Sequence, residues 1–286
     1  MKVRFLKGGN ARETHLSNAL EVGIKKHGDT LEVIDKGGDI TLDCDVVAFC
    51  GVKSREIYQA YTRASIRVVY FDKGYSRHSR TDDVRGWEYW RWAVNSHQPT
   101  CKFRPDYPSD RLALLAAAGH GWEFKPWRKK GNHVVIAGSS QKYHDFYQLK
   151  PPADYYQKLS KYLNGYTDRQ IVYRPKPSFK DAAPILGAGY SMKESISTAL
   201  EGAHCLVTHG SNACFEAMLA GVPSIIIGEA VAKPISSVSI KEIESPRLAS
   251  DEERSAWLRW LSYQQFTENE MKSGLAWEVI RDQLIG

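Results

Sequence analysis

Residues 206–228, LVTHGSNACFEAMLAGVPSIIIG, hold the densest set of groups able to do chemistry. An apolar run ending at Thr208 and His209 reads as a buried strand. Gly210 and Ser211 turn the chain into a short helix, which Gly221 stops before Pro223 opens the next strand. Gly210 lets the backbone approach a ligand closely, and Ser211 or Asn212 can cap the helix. The amides of that first turn then face the carboxyl edge of the strand, a setting that suits a diphosphate. Glu216 falls about one turn into the helix, where a carboxylate can hold ribose hydroxyls. Without a ligand, the same string is an ordinary strand–turn–helix of an α/β protein.

Two further segments place polar groups just past strand-like runs. In VVIAGSSQKY, Ser139 and Ser140 offer hydroxyls and amides of the kind that bind phosphate oxygens. In IVYRPKPS, Arg174 and Lys176 alternate around Pro175, which puts both cations on one side of the chain. Such a pair neutralises a departing nucleoside diphosphate, or else forms a solvated basic loop. Nearer the N-terminus, YFDKGYSRHSR sets Asp72 at a strand end with Lys73, Tyr75, Arg77 and Arg80 close behind. Asp72 there serves as a general base on an acceptor hydroxyl or orients it, or it caps a turn. Lys73, Tyr75, Arg77 and Gly9, the last in the tight turn Gly8-Gly9-Asn10, are the candidate acceptor-binding residues.

Some motifs lead nowhere. Asp43-Cys44-Asp45 spells an acidic pair of the metal-binding sort, but it precedes a strand instead of following one, and turn chemistry accounts for it. No metal site and no cofactor is therefore expected. The five cysteines contain no CxxC pair and read as reduced, packed side chains. Cys214, at a helix start, is the one with any catalytic claim. A GxGxxG after a strand is missing, which argues against a dinucleotide oxidoreductase.

The elements that must position these residues alternate. Strand and helix signals succeed one another through KVRFLKGG, HLSNALEVGIKKHG, TLEVID, DVVAFCGV, REIYQAYTRA and IRVVYFDKG. They resume with HVVIAGSS, DYYQKLSKYLNG, QIVYRPKP, SMKESISTALEG, HCLVTHGS, NACFEAMLAG and PSIIIG. This alternation predicts βαβ units and parallel sheets, which put chemistry at the carboxyl ends of their strands. Between them, residues 75–130 break the rhythm with Trp, Arg and Pro. The expected division is an N-terminal acceptor-binding domain over residues 1–130, with an Arg/Trp-rich insertion, and a donor-binding domain over residues 131–286. Helices predicted from Ser250 onward complete the second and pack back.

The ordered run His209, Gly210, Ser211, Glu216, Ala220, Gly221, Pro223 resembles the donor-binding motif of GT-B glycosyltransferases, including capsule-polysaccharide and glycerol-phosphate transferase relatives. The resemblance implies two Rossmann-like parallel-sheet domains facing a cleft, with a nucleotide sugar, UDP-linked, as co-substrate. More broadly, YFDKGYSR, the YWRWAVN segment, AGSSQKYHDFY, YRPKP and THGSNACFEA together resemble small bacteriophage glycosyltransferases that modify hydroxymethylated pyrimidines in DNA. That similarity implies transfer to double-stranded DNA. A transferase acting on an envelope carbohydrate or lipid-linked acceptor, and a GT-B-fold sugar-nucleotide epimerase, are the alternatives.

Composition bounds these readings. At 286 residues, 42% hydrophobic and 25% charged, the chain is a folded globular protein of one or two domains. It contains no apolar run of the roughly 18 residues that a membrane span needs. MKVRFLKGG is too short for a signal-peptide core, so a cytoplasmic protein is expected, in the host cytoplasm if phage-encoded. The net charge of +6 favours a polyanionic partner. Arg and Lys interleave with aromatics from Arg63 to Arg128 as a nucleic-acid surface would, or as an amphipathic subdomain with solvated arginines would.

Overall fold

Short apolar runs in the first third of the chain build a parallel sheet whose inner strands are buried on both faces. The computed structural model describes residues 1–35, 40–52, 55–76, 89–192 and 194–285. Strands β1 (Lys2–Lys7), β2 (Thr30–Asp35), β3 (Val46–Cys50) and β4 (Arg67–Lys73) run parallel in the order β4-β3-β1-β2. Helix α1 (Ala11–Lys26) connects β1 to β2, and α2 (Arg55–Arg63) connects β3 to β4. Side chains alternate across a strand, so β3 sends Val46, Ala48 and Cys50 into the core that holds Leu16 and Leu20 of α1. Val47 and Phe49 go to the other core, with Tyr61 of α2.

Two more strands extend this sheet, the first inside the expected Arg/Trp-rich insertion and the second near the C-terminus. β5 (Tyr89–Val94) pairs antiparallel with β4, and β11 (Gln265–Thr267) pairs antiparallel with β5. Period-2 alternation sorts the residues of YWRWAV. Trp90 and Trp92 are 1% and 0% exposed and join the α1-side core. Arg91, between them, is buried and lies directly opposite Asp72 in the register.

The later alternation forms a second parallel sheet. β6 (His133–Ala137), β7 (Gln170–Arg174), β8 (Gly189–Tyr190), β9 (Ala203–Thr208) and β10 (Ser224–Ile226) take the order β10-β9-β6-β7-β8. Val134, Ile136, Cys205, Val207 and Ile225 pack with Tyr156, Leu159 and Leu163 of α5 (Pro152–Leu163). The remaining connections include α4 (Gln141–Phe146), α6 (Ile196–Leu200) and α7 (Ala213–Leu219).

The chain divides into two compact units, and the division differs from the expected one at residue 130. The first unit comprises Met1–Lys102, Pro108–His120 and Arg259–Gly286; the second comprises Phe103–Tyr107 and Gly121–Leu258. Helix α8 (Asp251–Ser262) therefore starts in the second unit and ends in the first. Its start is as the sequence suggests, since Ser250 Oγ accepts the Glu253 amide at 3.1 Å and Glu253 Oε2 accepts the Ser250 amide at 2.7 Å. The last helices, α9 (Glu268–Ser273) and α10 (Leu275–Ile285), belong to the first unit because Met271, Trp277, Ile280 and Leu284 fill its α1-side core. Arg111, in α3 (Asp110–Ala117), secures that return. It donates to the carbonyls of Ser262 and Gln265 at 3.1 and 2.8 Å, pairs with Glu270, and lies 4.3 Å from the centre of the Phe266 ring.

Candidate functional site

In the second unit, parallel strands bring most of the expected donor-binding residues to one sheet edge. Ser139 and Ser140 follow β6, Arg174 ends β7 with Lys176 just beyond, and His209 to Asn212 follow β9. β6 lies between β7 and β9, so these segments are neighbours at the carboxyl edge. Glu216 stands half-buried in the first turn of α7.

The local geometry redistributes the roles. Thr208 Oγ1 accepts the Ser211 amide at 3.0 Å, and Ser211 Oγ accepts the Ala213 amide at 3.3 Å. Ser211 thus supports the start of α7, while the side chain of Asn212 makes no cap hydrogen bond. Gly210 was expected to clear room for a ligand. The room is taken by Tyr143, because a Cβ on Gly210 would overlap the Tyr143 hydroxyl. Ser139 is buried and its amide donates to the Tyr156 hydroxyl at 2.7 Å, so that amide is not offered to a phosphate. The Ser140 carbonyl accepts the amides of Tyr143 and His144, starting α4. Arg174 is 5% exposed and donates to the Glu194 carbonyl at 3.2 Å, whereas Lys176 is exposed. The two cations therefore differ: one is a buried anchor and the other is open to solvent.

An aromatic surround for His209 was missed in the sequence. Tyr143 Oη lies 3.1 Å from His209 Nδ1, and the rings of Tyr143, Tyr147 and Tyr155 stand 5.7, 5.9 and 5.9 Å from the imidazole. On another side, a Cβ at Gly228 would overlap the imidazole, so glycine there admits the ring. Burial foremost, and then the nearby His144, hold the His209 pKa down at about 4, which leaves the ring neutral at pH 7. The available signal was the i, i+4 spacing of Tyr143 and Tyr147 in QKYHDFY. Cys214 is fully buried, and burial pushes its thiol up to about 12, so it packs and is not a nucleophile at neutral pH.

In the first unit, Asp72 sits near the carboxyl end of β4. Its Oδ2 accepts Tyr70 Oη at 2.7 Å and Arg91 Nη2 at 3.0 Å, and its Oδ1 accepts the Lys73 amide at 2.8 Å. Arg91 also donates to the His97 carbonyl at 2.8 Å, and its guanidinium lies 5.2 and 5.8 Å from the ring centres of Tyr70 and Tyr75. Burial and then Arg91 lower the His97 pKa to about 4.

These contacts correct the expected nucleic-acid surface: Trp90, Arg91 and Trp92 are buried within the sheet and are closed to a duplex. Tyr75 is buried as well, with its hydroxyl donating to Gln98 at 3.3 Å and its amide to Gln265 at 2.7 Å. Arg77, with Arg80, Arg85 and Trp87 of the same expected surface, lies outside the described residues. The Gly8-Gly9-Asn10 turn is closed by Glu13, whose carboxylate accepts the Gly8 amide and Asn10 Nδ2. Gly9 is needed there for its φ of +73°. Asp43 pairs with Lys2 and Arg4, and Asp45 accepts the Lys2 amide at 2.7 Å.

The chain matches no protein-family model and no curated protein. Among solved structures it is similar to the beta Kdo 2,4 transferase of Thermosulfurimonas dismutans KpsC, with a TM-score of 0.58 at 13% identity over 100% of this chain and 98% of that one. The beta Kdo 2,7 transferase of the same protein gives a TM-score of 0.53 at 11% identity, covering 96% of this chain and 99% of that one. At such identities the likeness shows the fold, two Rossmann-like parallel-sheet units of the GT-B type. No helix among the described residues is long and apolar enough to cross a membrane.

Proposed function

We propose that the chain is a GT-B glycosyltransferase that takes a sugar from a nucleotide sugar, UDP-linked, held at the carboxyl edge of the second sheet. One observation carries this reading: Lys176, just past β7, and His209 and Ser211, just past β9, lie on the same carboxyl edge of one parallel sheet, on either side of β6. Open α/β sheets bind ligands at that edge. Lys176 supplies an exposed positive charge, the buried Arg174 adds to the field behind it, and the half-buried Glu216 holds ribose hydroxyls. Calorimetry with uridine diphosphate tests the site. Binding is expected, and Lys176→Ala should weaken it by roughly fivefold, the scale of one exposed charge contact. Equal affinity in wild type and variant removes Lys176 from the site; absence of binding to any nucleoside diphosphate removes the reading.

Asp72 is proposed as the general base on the acceptor hydroxyl, with Arg91 and Tyr70 fixing its orientation. The reaction is proposed to need no divalent cation, since the acidic pair Asp43 and Asp45 is engaged by Lys2 and Arg4. Turnover in EDTA should equal turnover without it. Loss in EDTA with recovery on adding manganese would overturn this.

Two acceptors stay in contention. The charge of +6 supports a hydroxymethylated pyrimidine in double-stranded DNA, although burial of Tyr75, Trp90, Arg91 and Trp92 takes away much of the surface that reading relied on. The envelope-carbohydrate reading takes its support from the two Kdo transferases that share the fold. Mass analysis of products, from nucleotide sugars incubated with and without each acceptor, separates the two. The same analysis detects an epimerised donor.

A further inference from the structure

The Tyr143–His209 pair is built into the backbone as well as the side chains. Gly210 has no Cβ where the Tyr143 hydroxyl lies, and Gly228 has none where the imidazole lies. Either glycine replaced by alanine would drive the two rings out of place. The Tyr143 hydroxyl carries one proton and has two acceptors within reach, His209 Nδ1 at 3.1 Å and the Glu229 carbonyl at 3.5 Å. The second distance is at the outer limit for such a bond, which makes Nδ1 the better-placed acceptor. A neutral imidazole that accepts at Nδ1 carries its own proton on Nε2.

We propose that Tyr143 is a positioning residue that holds His209 in its Nε2–H tautomer, so that His209 donates an uncharged hydrogen bond to an anionic oxygen of the nucleotide. The second half of this statement rests on the donor-site reading above; the first does not. Burial raises the Tyr143 pKa far above its ordinary value, which keeps the hydroxyl a donor at all working pH. The groups facing or felt by His209 are Tyr143, Tyr147, Tyr155, His144, Glu229 and Lys233. Glu229 favours protonation of the ring, but burial, His144 and Lys233 oppose it. The tautomer should therefore persist through the range where an ordinary histidine gains its second proton. A neutral donor bonds the nucleotide without adding a charge that varies with pH over that range.

Long-range nitrogen–proton correlation of the imidazole rings tests the assignment, with His209→Asn identifying the signals. The wild type should show a protonated Nε2 and a bare Nδ1 for His209, unchanged from about pH 8 to about pH 5.5. In Tyr143→Phe the two nitrogens should move toward averaged values, and uridine diphosphate affinity should fall about fivefold, the scale of one hydrogen bond. A proton on Nδ1 in the wild type overturns the proposal, and so does an unchanged spectrum in a folded Tyr143→Phe. If Tyr143→Phe does not fold, the wild-type spectrum alone decides. A lost tautomer with unchanged affinity refutes the donor role. The expected spectrum without nucleotide binding to the wild type defeats the donor-site reading and leaves the Tyr143–His209 assignment standing.

Discussion

Arg91→Ala should destabilise the first unit by about 3 kcal/mol, the range for removing one partner of a buried ion pair. Arg91 is 4% exposed and reaches the Asp72 carboxylate, the His97 carbonyl and the faces of Tyr70 and Tyr75. Its removal leaves the His97 carbonyl without that donor, opens a cavity among aromatic rings, and frees the Asp72 charge. Asp72 is itself about a third exposed, so water recovers part of its solvation and the loss stays at the low end of that range. For units of this size, 3 kcal/mol corresponds to a thermal midpoint lower by roughly 10 °C. Fluorescence of Trp90 and Trp92, both in the adjoining core, offers a local probe of unfolding. The outcome also decides what the arginine is for. A surface cation serving only to contact a polyanion would leave stability within about 0.5 kcal/mol and alter salt-dependent binding instead. A thermal midpoint equal to that of the wild type would contradict the burial described here.

Asp72→Asn should lower turnover by about a hundredfold or more, the usual scale of general-base assistance, while uridine diphosphate affinity stays unchanged. The amide has the shape of the carboxylate and can still accept from Tyr70 or Arg91, so the fold should survive at a modest cost. Two roles for Asp72 then separate. As a base it sets the acid limb of the turnover–pH profile, and that limb disappears with the carboxylate. As nothing more than the counter-ion of Arg91, it would lower stability and leave the profile's shape intact. A variant with lower thermal stability but wild-type turnover per folded molecule would remove Asp72 from the chemistry.

How far the sequence reaches is shown by particular residues. The strand ending at Thr208, the turn at Gly210, the helix through Glu216 and its stop at Gly221 were all legible in one stretch. Each is a local matter: apolar runs, a cap, and a glycine whose φ of +71° suits no other residue well. The alternation of strands and helices likewise pointed to two parallel sheets, and the fold is of that type. YWRWAV was misread because aromatic and basic residues in succession look like a binding surface when faces are ignored. Once β5 pairs with β4, the same letters become two core tryptophans on one face and a buried arginine on the other. The return of α9 and α10 to the first unit was equally out of reach, since their apolar stripes fit any core and nothing local says which.

Element types, the breaks between them and the residues that follow each strand were readable locally, because backbone propensity and hydrophobic period act over a few neighbouring positions. Which of those residues remain open to a ligand depends on how distant segments pack against them. Gly210 was read as room for substrate and is filled by Tyr143, and Ser139 spends its amide on Tyr156, while Arg174 is buried against a carbonyl. Tyr143 and His209 are 66 residues apart in the chain and 3.1 Å apart at Oη and Nδ1. That meeting comes from the pairing of β6 with β9, which sets the helix after one strand against the turn after the other. A polar side chain forms its partnership with whatever the packing brings within about 3 Å, and packing is a property of the whole chain.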